Sequence, residues 1–366
     1  MLVKFWLGLA GLGLILGLVT LVKVFSTGFV VYAKTDVLVW TLPLATYVFF
    51  SLTSAGLAFI SSLPLVFGLK RYELIEKRVL LLELSALAAA MVCLIMHLGA
   101  PLNVVYLLLS PNLASPLWWL SILYLIYSLV LLVSFKNVYS GRASKNVGVL
   151  VLLVAVLTST GLGWLLGMAD ARPSLNASFL TVFFPLTALA SGLAAIILFG
   201  QFFSGSERDR ARDKDDLYDE MAKILGVVVG FVLVLILWRT VIGGLSSADL
   251  GFTGFRRMLG SLSYHVQLWI GLVLPLALLL VPGVRTTSRG KMLAGLAVLI
   301  GLLFGRLEFI LSAEVVPLGA MAEGGPGLVG YGPTIWEVFV TVFGVSLMLL
   351  IYGLGDRFLK LEPTHV

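Results

Sequence analysis

The sequence predicts an all-α integral membrane protein with about ten transmembrane helices, arranged as two four-helix bundles plus peripheral first and last helices. Three observations predict it. Of 366 residues, 60% are hydrophobic and only 12% are charged, about half the charged share of a soluble domain. The apolar residues fall in continuous runs of about 20 residues or more, enough to cross about 30 Å of hydrocarbon. Lys and Arg collect between alternate runs. A mean hydropathy of +1.06 leaves too little polar surface for a water-facing exterior, a difficulty that lipid removes.

The runs place spans at 5–24, 37–69, 78–98, 116–136, 146–168, 178–203, 220–243, 262–283, 291–312 and 334–356. They are Leu/Val/Ala-rich and lack the period-2 alternation of a membrane barrel. The first run follows Lys4 and is long for a signal peptide. Lys23-Val24-Phe25-Ser26-Thr27-Gly28 offers no small-x-small cleavage site, so it reads as a retained helix. The second run, at 33 residues, is long enough to tilt or to project from the membrane.

Orientation follows from charge. Of the 25 Lys and Arg residues, 18 lie on the side of the termini. Five, Lys23, Lys34, Arg172, Arg256 and Arg257, lie on the other, and Arg239 and Arg306 lie inside spans. The positive-inside rule puts both termini in the cytoplasm of a multi-pass inner-membrane protein. The outward connections (98–115, 169–177, 244–261 and 313–333) are rich in Gly, Pro, Asn and Ser and sparsely charged, the character of a docking or ligand-binding face. The mixed-charge run from Ser204 to Glu220 reads as a solvated linker between two halves. Ser54-Ala55-Gly56-Leu57-Ala58 echoes Ala190-Ser191-Gly192-Leu193-Ala194, and Leu117-Trp118 echoes Leu268-Trp269. Four spans separate each pair, as in a parallel repeat. The domains expected are a peripheral helix and loop at 1–35, bundles at 36–170 and 171–312, and an outer loop, last helix and cytoplasmic tail at 313–366.

Ionisable side chains inside a span cost about 2.5–3.5 kcal/mol or more, so each asks for a reason. His97, Asp36, Asp170, Arg239, His265, Arg306 and Glu308 lie near outer span ends, and Glu83 lies toward the cytoplasmic end of the third span. Asp36, Asp170, Glu314 and Glu337 are close enough to span ends to reach the interface by snorkelling. Glu83 fits an interfacial role and a proton-relay role equally. Arg306 and Glu308, two residues apart, point in different directions; Arg239, Glu308 and His265 are expected to cluster. The single cysteine, Cys93, allows no intrachain disulfide and no Cys-based cluster. Three histidines, His97, His265 and His365, bound any histidine-held cofactor. Trp40, Trp118, Trp119, Trp164, Trp238, Trp269 and Trp336 fit an interfacial aromatic belt.

One string is more specific. His97-Leu98-Gly99-Ala100-Pro101-Leu102-Asn103, followed by Ser110-Pro111-Asn112-Leu113-Ala114-Ser115-Pro116-Leu117-Trp118-Trp119, resembles the NrfD/polysulfide-reductase membrane-subunit family. That family's signature is an acidic residue or His, then Leu-Gly-Arg-Pro, then Pro-Asn-x-x-Ser-Pro-Met-x-Trp. Trp40, Pro43, Tyr47 and Ser54-Ala55-Gly56 resemble its first core helix, and Tyr331-Gly332-Pro333-Thr334-Ile335-Trp336-Glu337 is similar to its ten-helix branch. Ala100 and Leu117 depart from the usual Arg and Met.

The resemblance implies a quinone-interacting membrane anchor of a respiratory oxidoreductase, not catalytic alone, of the polysulfide, sulfur or thiosulfate reductase type. It implies a quinone of the menaquinone type as cofactor, with no metal or haem in this chain. It also implies an Fe–S ferredoxin-like subunit on the outer face, a molybdopterin catalytic subunit, and no nucleic-acid partner. The quinone headgroup is then expected between the outer ends of spans two, three and five. There His97 bonds a carbonyl, Asp36 or Asp170 supplies the second proton group, and Trp40, Tyr47 and Trp164 line the cleft. Glu83, Arg239, His265, Arg306 and Glu308 are the candidates for a proton path. Two other classes fit the same residues: a stand-alone secondary transporter or ion channel, and a haem b carrier using His97 and His265 as axial ligands.

Overall fold

The computed structural model describes residues 2–98, 101–169, 174–203, 211–245, 252–317, 327 and 329–362. Among these, ten helices are long and apolar enough to cross a membrane. They are α1 (Leu2–Thr27), α2 (Leu42–Phe67), α3 (Glu76–His97), α4 (Pro116–Tyr139), α5 (Lys145–Gly167), α6 (Ala177–Phe202), α7 (Ala211–Leu245), α8 (Leu262–Leu280), α9 (Ser288–Glu314) and α10 (Ile335–Phe358). The protein is an all-α, multi-pass membrane protein. Helices satisfy every backbone polar group within the segment, which the hydrocarbon core demands.

The helices close into two rings of four. In one, α2 packs on α3, α3 on α4, α4 on α5 and α5 on α2; in the other, α6 packs on α7, α7 on α8, α8 on α9 and α9 on α6. Helix α2 also packs on α6 and α9, and α5 on α6. Helix α1 lies against α10, and α10 rests on α2 and α3. The first and last helices are therefore peripheral.

Small residues set the closest approaches. A Cβ built on Gly56 of α2 would fall 1.7 Å from the Ala188 carbonyl oxygen of α6, and one on Gly192 would fall 2.3 Å from the Gly56 carbonyl carbon. Here the two echoing segments meet each other. In lipid, where apolar burial gives no drive for helices to associate, backbone-to-backbone packing supplies the attraction. Gly271 of α8 and Gly301 of α9 make a second such contact, at 2.4 Å from the added Cβ to Cα. Helix α8 carries a π-helical stretch at Val266–Val273, a widened geometry used sparingly and often at functional places.

Two expectations about boundaries are corrected. The second span begins at Leu42 rather than 37, because Pro43 starts the helix, which leaves Asp36 and Trp40 in the connection before it. The mixed-charge run is not a linker throughout. Residues 204–210 lie outside the described part, but from Ala211 the chain is already α7. Its first turns are tied down: Glu220 to Arg71 at 2.5 Å, and Asp219 to Lys291. On the same side Arg78 of α3 pairs with Asp356 of α10.

The Gly56–Gly192 crossing predicts that Gly56→Leu lowers the yield and Tm of folded protein in detergent, by about 2 kcal/mol or more of overpacking. Gly11→Leu on α1, where an added Cβ meets nothing within 4 Å, is expected to leave both unchanged.

Candidate functional site

Along α2, Tyr47, Ser51, Ser54 and Ser61 recur at spacings of four, three and seven residues, one helical face. That face meets Glu83 of α3 and Tyr124 and Tyr127 of α4. Glu83 is fully buried. Its two carboxylate oxygens accept hydrogen bonds from the Tyr127 hydroxyl and the Ser61 hydroxyl, each at 2.9 Å. Ser54 donates to the Glu83 main-chain carbonyl at 3.1 Å and lies 3.0 Å from the Tyr127 hydroxyl. Ser51 is hydrogen-bonded to the Tyr124 hydroxyl, and the Tyr47 ring packs 6.1 Å from the Tyr124 ring. From Tyr47 to Ser61 this polar column runs about 21 Å along α2, most of the hydrocarbon thickness. Glu83 lies seven residues inside α3, so it is not an interfacial residue.

At the outer ends of α2 and α3 a second cluster forms. The Tyr32 hydroxyl donates to the Met96 carbonyl at 3.0 Å, and the Lys34 ammonium donates to the His97 carbonyl at 3.1 Å. Lys34 Nζ also lies 3.4 Å from His97 Nδ1 and 3.5 Å above the Phe29 ring. Burial pushes the Lys34 ammonium down to a pKa of about 8, against the raising effect of Glu337 and Glu314. Glu314, at the end of α9, accepts from the main-chain N–H groups of Val39 (2.6 Å) and Trp40 (3.3 Å). Glu337 closes a capping box with Thr334 at the start of α10 and accepts from the Tyr331 hydroxyl at 3.2 Å. Tyr331 in turn accepts from the Leu42 N–H at 3.1 Å. Glu314 and Glu337 are 2% and 0% exposed, so neither snorkels to the interface. Thr41 Oγ1 and Glu337 Oε1 are buried with no hydrogen-bond partner among the described residues.

The other expected site residues separate. Tyr47 and Trp40 belong to these two clusters. Trp164 is 43% exposed on the side of α5 opposite its buried residues, so it does not line a cleft with Tyr47. Asp36 is exposed to solvent, and Asp170 lies outside the described residues. In the second ring Arg239 pairs with Glu308 at 2.6 Å, reaches Ser312 at 3.3 Å, and sits between the Phe255 and Phe309 rings. His265 does not join them. It is exposed, with its ring beside that of Tyr264, so the expected triad is a pair. An exposed His265 in one ring of helices and His97 in the other are also poorly placed to share a haem iron. Arg306 donates to Thr187 at 2.5 Å and lies over the Phe184 ring. It does not pair with Glu308.

From the sequence, no site role falls to Lys34, Tyr124 or Tyr127, and Tyr331 enters only through the string similar to the family's ten-helix branch. The spacing of Tyr124 and Tyr127, and of Ser51 and Ser54, was the available signal for the column. Nothing local marked Lys34.

Two relatives align over nearly their whole length. One is a selenate reductase subunit of Mesobacillus selenatarsenatis, 24% identical over 93% of this chain and 90% of the relative. The other is a putative dimethyl sulfoxide reductase membrane subunit of Halobacterium salinarum, 24% identical over 98% of this chain and 91% of the relative. Residues 30–317 match the profile of the family described as "Polysulphide reductase, NrfD". With both rings of helices, the hydroxyl–carboxylate column and most of the outer cluster inside that match, the chain belongs to the NrfD polysulphide reductase family.

Proposed function

We propose that this chain is the quinone-interacting membrane subunit of a respiratory oxidoreductase, passing electrons between a quinone pool and an Fe–S subunit on the outer face. That it is a membrane subunit of an oxidoreductase complex follows from its family and from two relatives that are themselves reductase subunits. The finer reading is carried by one observation: a buried carboxylate, Glu83, at the inner end of a hydroxyl column whose other end rises toward His97.

The outer cluster fits a quinone headgroup. His97 and the buried unpaired Thr41 hydroxyl supply donors for the two quinone carbonyl oxygens, and the unpaired Glu337 oxygen can accept from a quinol hydroxyl. A bound quinone, of menaquinone type, supplies two-electron, two-proton chemistry at those oxygens. His97 holds and exchanges a proton at its ring nitrogen, and Trp40 and Tyr47 form the apolar wall. Tyr127, Ser54 and Ser61 hold Glu83 ready to pass a proton toward the cytoplasmic side, which couples turnover to charge movement. The proposed boundaries are bundles at 36–170 and 171–312, with the quinone site in the first.

The partners proposed are an Fe–S ferredoxin-like subunit and, beyond it, a molybdopterin catalytic subunit. The connection between α3 and α4 exposes Leu102, Tyr106, Leu109 and Leu113, an apolar outer surface suited to such docking.

Three outcomes are expected. His97→Ala lowers quinone-linked electron transfer of the assembled complex by about 10²-fold or more while the complex still assembles; near-normal turnover overturns the site. Glu83→Gln, of equal size, slows turnover and abolishes proton uptake in proteoliposomes; unchanged proton uptake removes Glu83 from the path. The orientation is checked by impermeant maleimide labelling in a Cys93→Ala background. Asn112→Cys labels in intact cells, and Ser140→Cys labels only after permeabilisation.

A further inference from the structure

We propose that Lys34 is a positioning residue for His97: its ammonium fixes the imidazole in the tautomer whose hydrogen is on Nε2. The inference deepens the site proposed above and rests on that reading for its consequence in turnover. Its geometry stands independently.

The last carbonyls of a helix have no intrahelical partner. At the end of α3, Tyr32 serves the Met96 carbonyl and Lys34 serves the His97 carbonyl. Both come from the connection that follows the turn at Gly28–Val31, where Gly28 takes φ +70, a left-handed conformation open to glycine. The Phe29 ring below Nζ and the negative end of the α3 dipole both favour a cation there. So far Lys34 is a helix cap. The same nitrogen also lies 3.4 Å from His97 Nδ1. An ammonium has three donors and no acceptor. Nδ1 facing it must therefore be the bare, accepting nitrogen, which leaves the ring proton on Nε2. While Lys34 is protonated, His97 then presents a donor to a ligand oxygen at Nε2.

The titratable groups facing Lys34 are Glu337 of α10, Glu314 of α9 and His97 of α3, with Tyr32 from its own segment. Burial outweighs the two carboxylates and brings the ammonium to a pKa of about 8. Below that pH the nitrogen can only donate. Above it, a neutral amine carries a lone pair and can accept from Nδ1–H, so the constraint on the tautomer lifts as pH rises.

Two substitutions separate capping from tautomer control. Lys34→Gln keeps a donor for the His97 carbonyl, but its amide oxygen can accept from Nδ1–H. Lys34→Arg keeps a group that only donates and that stays protonated throughout. With 15N-labelled histidine in the membrane-embedded complex, wild type and Lys34→Arg are expected to show a bare Nδ1 at pH 7, and Lys34→Gln both tautomers. Turnover of the Gln variant is expected to fall about tenfold or more with assembly unchanged. Wild-type turnover declines as pH passes about 8, and the Arg variant holds to higher pH. Identical histidine spectra in all three proteins overturn the inference. Shifted tautomers with normal turnover in both Lys34→Gln and His97→Ala leave the tautomer control standing and overturn the quinone site.

Discussion

Helices α2 and α6 cross with backbone against backbone at Gly56 and Gly192, and much of the interior depends on that crossing. Ser54 and Gly56 are two residues apart, on opposite sides of α2. Gly56 gives α2 to the neighbouring ring of helices, and Ser54 gives it to Tyr127 and Glu83. A larger residue at Gly56 would separate the rings and rotate or shift α2, moving its hydroxyls away from α3 and α4. Because α2 is enclosed by α3, α5, α6, α9 and α10, almost none of it meets lipid. An enclosed helix is a place in a membrane protein where several polar side chains can line a face at low cost.

The buried carboxylates of the two rings are held in different ways. Glu83 takes hydroxyl donors on both oxygens and pairs with no cation among the described residues, an arrangement that tolerates a proton on the carboxyl. Glu308 takes the Arg239 guanidinium, itself set between two aromatic rings, on one oxygen, a contact that ties α7 to α9. Removing one member of such a buried pair typically costs about 3–5 kcal/mol, because the other is left uncompensated. The chemistry of the first pattern suits proton exchange, and that of the second suits structure. This difference is why the proposed path runs through the first ring although both rings carry intramembrane charge.

The ten spans and the family were legible in the sequence because hydrophobic length and a loop signature are local properties. The site was legible only in part. Glu314 and Glu337 stand close to span ends in the chain, so they looked interfacial. Yet Val39 reaches Glu314 across 275 residues and Leu42 reaches Tyr331 across 289, and only the fold puts these segments together. The same limit hid the helical start of α7, whose Asp219 and Glu220 pair with Lys291 at the start of α9 and with Arg71 in the turn before α3. His265 and Trp164 stand apart for the opposite reason: both lie on spanning helices, but the direction each faces is set by its neighbours.

The outer cluster takes its cation from the connection before α2 rather than from α3. Lys34 sets its ammonium on the final carbonyl of α3 and beside His97, and that origin has a physical consequence. A guanidinium stays protonated at any physiological pH, whereas burial lets this ammonium lose its proton a little above neutrality, against the opposing pull of Glu337 and Glu314. A lysine at this place therefore makes the His97 end of the helix responsive to pH in a range where an arginine would be silent.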